Sequence, residues 1–254
     1  DSPLILTSDE TSQQVELTSK SGTYQVRGML SDDFPDLPLV ESGTSLKLNP
    51  LLLSNAIKST LFASSTDDAK QLLTGVNLTF DGYGLESAAT DGHRLAILNL
   101  NNIISESNDK TISTNIEKFS ITLPSKSLRE IEKFLSTCDI NEPINLFIDK
   151  GQVVFISFDE IITIRALEGS YPNYSQLLPE AFSNVLEFDR KKFIASLERI
   201  AVLADQHNNV IKITTDNSAK SIKITTDAQD VGAGSETLPV TFNGQSFQIA
   251  FNVR

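Results

Sequence analysis

The run Thr90-Asp91-Gly92-His93-Arg94-Leu95 sets a carboxylate, an imidazole and a guanidinium within a few residues of one another. Such groups can do acid and base chemistry, with Asp91 and His93 as the proton-transfer pair and Ser87 as a nucleophile. The rest of a catalytic constellation is missing from the sequence. Asp91 and His93 stand two positions apart, and the chain's one further histidine, His207, lies in the polar run Asp205-Gln206-His207-Asn208-Asn209, which reads as solvated loop. No third orienting group and no metal-ligand spacing is recognisable. A hydrolase-type enzyme using Asp91 and His93 therefore stands only as an alternative to a histidine that packs and hydrogen-bonds locally.

The elements that must hold this run repeat along the chain. Leu95-Ala96-Ile97-Leu98 continues it as a strand. Leu46-Lys47-Leu48-Asn49, followed by Leu53, Ile57 and Leu61, is echoed by Leu186-Glu187-Phe188-Asp189, followed by Phe193, Leu197 and Ala201. Phe34-Pro35-Asp36-Leu37 is echoed by Tyr171-Pro172-Asn173-Tyr174, so two landmarks give nearly one period. Ile121-Thr122-Leu123-Pro124 with Leu128, Ile131 and Leu135 repeats the first pattern about half a period on. Each copy reads as strand, cap, helix. Asn49 and Asp189 can accept from the free amides of a first helical turn, and Pro50 and Pro124 suit a helix start. The apolar spacing gives each helix one buried face.

Between the helices the sequence alternates in strand fashion around turn residues, as at Asp149-Lys150-Gly151 and Asp216-Asn217-Ser218. A half-unit of strand, helix and three-stranded antiparallel meander accounts for nearly every segment. Two half-units make one α+β domain with both helices on one side of sheet. The expected divisions are 1–41 as the tail of a first domain, 42–180 as a complete middle domain, and 181–254 as half of a third. Both ends read as cut, so the chain is expected to be a piece of a longer protein.

Composition bounds the function classes. The chain has 254 residues and 39% apolar content, enough for packed cores, with no run of eighteen apolar residues, and no secretory leader is expected. The lone Cys138 can form neither an internal disulfide nor a thiolate metal site, and a reducing cytoplasm is the expected compartment. The net charge of −12 argues against nucleic acid only if the basic residues are evenly spread. They are not. The helical stretch from Pro124 to Leu135 places Lys126, Arg129 and Lys133 on the face away from Leu128, Ile131 and Leu135. The stretch from Asp189 to Ala204 carries Arg190, Lys191, Lys192 and Arg199, and that from Asn49 to Ser64 adds Lys58. Ordinary solvated helix faces would give the same pattern.

Four motifs, in their residues and in their order and spacing, resemble the bacterial DNA polymerase III beta subunit, the replicative sliding clamp. They are A-T-D-G-H-R-L-A at Ala89 to Ala96, G-x-Y-P-x-Y-x-x-L-L-P at Gly169 to Pro179, D-F-P-D-L at Asp33 to Leu37, and F-x-I-x-F-N-V at Phe247 to Val253. The resemblance implies the DNA-clamp fold and a non-catalytic, cofactor-free, cytoplasmic and nucleoid-associated protein. In that family a head-to-tail homodimer of three-domain chains closes around double-stranded DNA. The basic helices line the hole, which implies DNA-facing roles for Lys58, Lys126, Arg129, Lys133, Lys192 and Arg199. A groove between the second and third domains receives a short apolar peptide motif from the replicative polymerase, the clamp loader and repair proteins. By motif position its wall would comprise Leu73, Thr90, Gly92, His93, Arg94, Leu95, Pro172, Gln176 and Leu177. Gln176 departs from the basic residue frequent there, and the family's C-terminal tail has no counterpart in the sequence.

The competing reading from another class is a β-rich surface or carbohydrate-binding module. Repeated strand-cap-helix units are foreign to such sandwiches, and 7% aromatic content without tryptophan leaves few platforms for sugar rings. With a third of one domain and half of another, this chain is expected not to close a ring alone. Sedimentation should show no stable ring-sized dimer; finding one would count against the proposed domain divisions.

Overall fold

The computed structural model describes residues 3–9, 13–35, 43–100, 118–158, 160–205, 209–215, 220–228 and 230–253. Asp36, Leu37, His207 and the Asp216 turn lie outside the described residues. The chain divides into two compact units, Asp1–Pro172 and Asn173–Arg254.

The first unit opens with a three-stranded antiparallel sheet of β1 (Ile5–Asp9), β2 (Gln14–Ser19) and β3 (Gly22–Arg27). Two strand-helix-meander half-units follow. The first comprises β4 (Thr44–Leu48), α1 (Pro50–Thr60), β5 (Gly75–Phe80), β6 (Leu85–Thr90) and β7 (Leu95–Asn99). The second comprises β8 (Phe119–Pro124), α2 (Ser125–Thr137), β9 (Ile144–Asp149), β10 (Gln152–Ser157) and β11 (Glu160–Arg165).

The leading strands are exchanged. β4 pairs antiparallel with β9, Thr44 opposite Ile148 through Leu48 opposite Ile144, and so completes the sheet β11-β10-β9-β4 of the other half-unit. β8 returns the pairing to β5, Gly75 opposite Pro124 through Phe80 opposite Phe119, and completes β7-β6-β5-β8. Alternate residues of these strands face one core with the helices. Leu46, Leu48, Val76, Leu78, Leu123, Ile144, Leu146 and Phe155 meet Leu53 and Ile57 of α1 and Leu128, Ile131, Phe134 and Leu135 of α2.

The helix starts follow the sequence. Asn49 Oδ1 accepts from the amides of Leu51 at 2.9 Å and Leu52 at 3.4 Å, and its Nδ2 donates to the Ile140 carbonyl at 3.1 Å. Pro50 occupies the first turn, where no amide donor is required. Helix α1 stops sooner than its apolar spacing predicts, at Thr60, and the chain tightens into a 3-10 turn at Leu61–Ala63. Thr60 Oγ1 donates back to the Ala56 carbonyl at 2.8 Å and lies 2.8 Å from Ser87 Oγ of β6, tying the end of the helix to the sheet within the core.

The second unit repeats half of this plan. β12 (Val185–Glu187) leads into α3 (Arg190–Ala201), capped by Asp189 Oδ1 accepting from the Lys192 amide at 2.9 Å. β13 (Val210–Thr215), β14 (Ser221–Ala228) and β15 (Gly232–Pro239) form the meander, and β17 (Gln248–Asn252) pairs with β13 as β8 pairs with β5. The sequence reading did not anticipate β16 (Thr241–Asn243), which pairs with β12. Ile200, Ile211, Ile213, Ile222, Ile224 and Val240 are the core. Arg199 grips Glu236 of β15 with two parallel bonds, Nε to Oε1 at 2.6 Å and Nη2 to Oε2 at 2.7 Å, while the buried Ser196 hydroxyl donates to the same carboxylate.

The Asn49→Ala variant should lose about 0.5–2 kcal/mol of stability in urea unfolding, because two amides and the Ile140 tie lose their partner. The Arg199 guanidinium, then the Ser196 hydroxyl, hold the Glu236 carboxyl down to about 2. A depressed carboxyl stabilises the fold above its unfolded value, and that contribution is lost as pH falls from about 4.5 through about 2. Thermal unfolding across this window should therefore be flatter in Glu236→Gln than in the unaltered chain; identical slopes would refute the coupling.

Candidate functional site

The Thr90–Arg94 run is the tip of the β6–β7 hairpin, whose last paired residues are Thr90 and Leu95. Four residues must reverse the chain here, and Asp91 organises them. Its Oδ1 accepts from the amides of His93 at 2.8 Å and Arg94 at 3.0 Å, and its Oδ2 accepts from Arg94 Nε at 3.0 Å. Gly92 takes φ +93°, a conformation that favours glycine, and its amide donates to Thr90 Oγ1 at 3.1 Å. Thr90 Oγ1 in turn donates to the Arg94 carbonyl at 2.7 Å.

Two further segments brace the tip. The Thr90 amide donates to the Tyr171 hydroxyl at 2.9 Å, which brings the Gly169-x-Tyr171-Pro172 motif against the hairpin. Gly169, at φ +121°, places its Cα against Leu72, where a Cβ would come within 3.0 Å of Leu72 Cδ1. The 3-10 stretch Asp68–Thr74 carries Leu72 and Leu73, and Lys70 Nζ donates to the Asp91 carbonyl at 3.4 Å.

Electrostatics follow this geometry. Burial raises the Asp91 carboxyl, but the His93 and Arg94 amides and the Arg94 guanidinium outweigh it and leave the carboxyl below its ordinary value. Burial pushes the Tyr171 phenol up, against the bond from the Thr90 amide. Asp91 is thus an ionised turn-former with both oxygens engaged, a poor general acid. Ser87 is 0% exposed and bonded to Thr60, so no substrate reaches its hydroxyl. The nucleophile suggested for the hydrolase-type reading is therefore removed from access. Among the described residues no His, Cys, Asp and Glu cluster fits a metal ion.

Of the residues expected to contact a peptide, the first unit brings Thr90, Gly92, His93, Arg94 and Leu95 to one hairpin end, with Pro172 next to Tyr171 and Leu73 on the bracing 3-10 stretch. Leu73 and Leu95 are half-buried, and Pro172 is exposed. Gln176 and Leu177 belong to the second unit, on the 3-10 turn Ser175–Leu177, with Leu177 74% exposed. Sequence reasoning missed Lys70 and Tyr171, which are drawn in only by the hydrogen bonds of the folded hairpin.

The six cations expected to face DNA differ in what they already hold. Lys126, Arg129 and Lys133 are exposed on α2, opposite the buried Leu128, Ile131 and Leu135. Lys133 pairs with Glu130 at 3.0 Å on the same helix, and Lys58 lies 3.9 Å from Glu132 across the two helices. Arg199 is held in the Glu236 fork. Lys126, Arg129 and Lys192 have no carboxylate partner among the described residues.

Comparison with known proteins agrees with this architecture. The family model for the DNA polymerase III beta subunit, central domain, matches residues 47–173, and that for its C-terminal domain matches 175–254. The beta sliding clamp of Synechococcus elongatus is 43% identical over 249 residues, covering 98% of this chain and 64% of that protein. The beta sliding clamp of Bacillus subtilis is 29% identical over 93% of this chain and 60% of that protein. A crystal structure of the DNA polymerase III subunit beta from Pseudomonas aeruginosa superposes with a TM-score of 0.85 at 22% identity, covering all of this chain and 65% of that one, a likeness of fold. The Bacillus subtilis DNA polymerase sliding clamp superposes with a TM-score of 0.84 at 26% identity, over 98% of this chain and 63% of that one. The chain thus spans a little under two thirds of the length of these relatives. With the central-domain and C-terminal-domain models matching successive stretches of it in order, the chain belongs to the DNA polymerase III beta subunit family.

Proposed function

We propose that this chain is part of a sliding clamp, a non-catalytic cytoplasmic protein that as a homodimer encircles double-stranded DNA at the nucleoid. It tethers the replicative polymerase, and it receives clamp-loader and repair proteins through short apolar peptides. The observation that carries the reading is the match of two successive beta-subunit domain models along one chain. The residues supply matching chemistry. Exposed Lys126, Arg129 and Lys192 on helices whose other faces are buried offer positive charge within a chain of net −12. A polyanion held by few cations binds without being fixed in place, which suits sliding.

In this reading residues 1–41 are the closing meander of a first domain, 42–180 the middle domain and 181–254 the opening half of a third. The peptide role falls to Leu73, Leu95, Pro172 and Leu177 as apolar anchors, with Thr90 to Arg94 and Gln176 as polar wall. The hairpin tip favours such a role because Asp91 and Tyr171 have already fixed its backbone, so a partner orders little on arrival.

In the full-length protein, loaded complexes should remain on circular DNA and slide off linear DNA; equal loss from both would refute the ring. Lys126→Glu with Arg129→Glu should weaken retention in a salt-dependent way and shift folding by no more than ~0.5 kcal/mol. Leu95→Ala and Leu177→Ala should each cost a bound peptide roughly 1–3 kcal/mol, and His93→Ala less. Unchanged peptide titrations in both leucine variants would dismiss the peptide role while leaving the ring untouched.

A further inference from the structure

We propose that Phe62 is a positioning residue that holds the Arg94 guanidinium, and that the pair makes the hairpin tip selective for an apolar peptide bearing a carboxylate. The proposal rests on the peptide-binding reading above and names the partner chemistry that reading leaves open.

Phe62 lies in the 3-10 turn after α1, between Leu61, which packs on the core, and the buried Ala63, yet it is itself 61% exposed. Its ring is turned out of the core toward the tip. The Arg94 guanidinium carbon stands 5.8 Å from the ring centroid, within the range at which a cation is drawn to an aromatic face. Arg94 is restrained elsewhere too. Its carbonyl accepts from Thr90 Oγ1 and its Nε donates to Asp91 Oδ2. A long, rotamer-rich side chain is thereby held at its backbone, at Nε and across its face.

The end of the fork is left over. Among the described residues the two terminal amino groups of Arg94 have no partner, and the side chain is half exposed. These parallel donors match the two oxygens of a carboxylate better than a single carbonyl. Lys70, on the Asp91 carbonyl, adds a second cation beside the tip. Exposed Phe62 and the half-buried Leu73 and Leu95 supply apolar surface around this polar point. An apolar segment with one acidic group is the ligand that satisfies both.

The test uses the full-length protein, with Phe62→Leu keeping apolar bulk and Phe62→Tyr keeping the ring. Nitrogen-edited NMR of arginine Nε–H groups, with Arg94 assigned from its disappearance in Arg94→Lys, should show a ring-current displacement. That displacement should vanish in Phe62→Leu and persist in Phe62→Tyr. Fluorescence anisotropy then compares a labelled decapeptide carrying a leucine pair beside an aspartate with its asparagine counterpart. The unaltered chain should prefer the aspartate peptide at least about threefold; Phe62→Leu and Arg94→Ala should each abolish the preference. The double variant should be no weaker than Arg94→Ala alone. Additive losses, or a preference that survives in Phe62→Leu, overturn the proposal while the peptide reading stands. Failure of the unaltered chain to bind either peptide removes the peptide reading and this proposal with it.

Discussion

The exchange of leading strands between half-units is the constraint on which the first unit depends. Each helix begins within two residues of a strand that is hydrogen-bonded to the opposite meander, β4 to β9 and β8 to β5. The start of α1 is therefore set by the sheet that α2 precedes, and the start of α2 by the sheet that follows α1. Neither half-unit can shift without carrying the other, and one core joins both sheets and both helices. This interlock steadies the β6–β7 hairpin at its base, through the Thr60 and Ser87 hydroxyls within the core.

On that base, the hairpin tip is shaped by satisfied polar groups rather than by bulk. Asp91 uses both oxygens, Thr90 uses its amide and hydroxyl, and Tyr171 fixes the approach of a segment distant in sequence. The Asp91 carboxylate, which suggested proton chemistry, is here occupied with turn geometry. An ionised carboxylate with this many donors has little reason to give or take a proton near neutrality.

The strand-cap-helix units were legible because each signal is local: Asn49 and Asp189 precede apolar runs at helical spacing, and their side chains do accept from first-turn amides. Strand exchange was not legible, since alternation reports which face of a strand is buried and nothing about its neighbour. The early end of α1 was hidden for a related reason. Leu61 continues the apolar period, but the Thr60 hydroxyl bonds back to the helix and to Ser87, and the chain tightens. Likewise Arg199 reads as one more basic residue on a helix face, and only the fold brings Glu236 to it from 37 positions away. Sign and spacing identify a cation; its availability depends on the carboxylates that folding places beside it.

The register of β4 on β9 also carries a kinetic meaning. Thr44 finds its partner only at Ile148, so the sheet that β4 completes closes across about a hundred residues of intervening chain. During synthesis at about 5–20 residues per second, β4 waits on the order of 5–20 seconds before its edge can be covered. Leu46 and Leu48 have no native sheet partner through that interval, a nascent-chain state in which chaperone capture or pairing with a neighbouring copy competes with native closure.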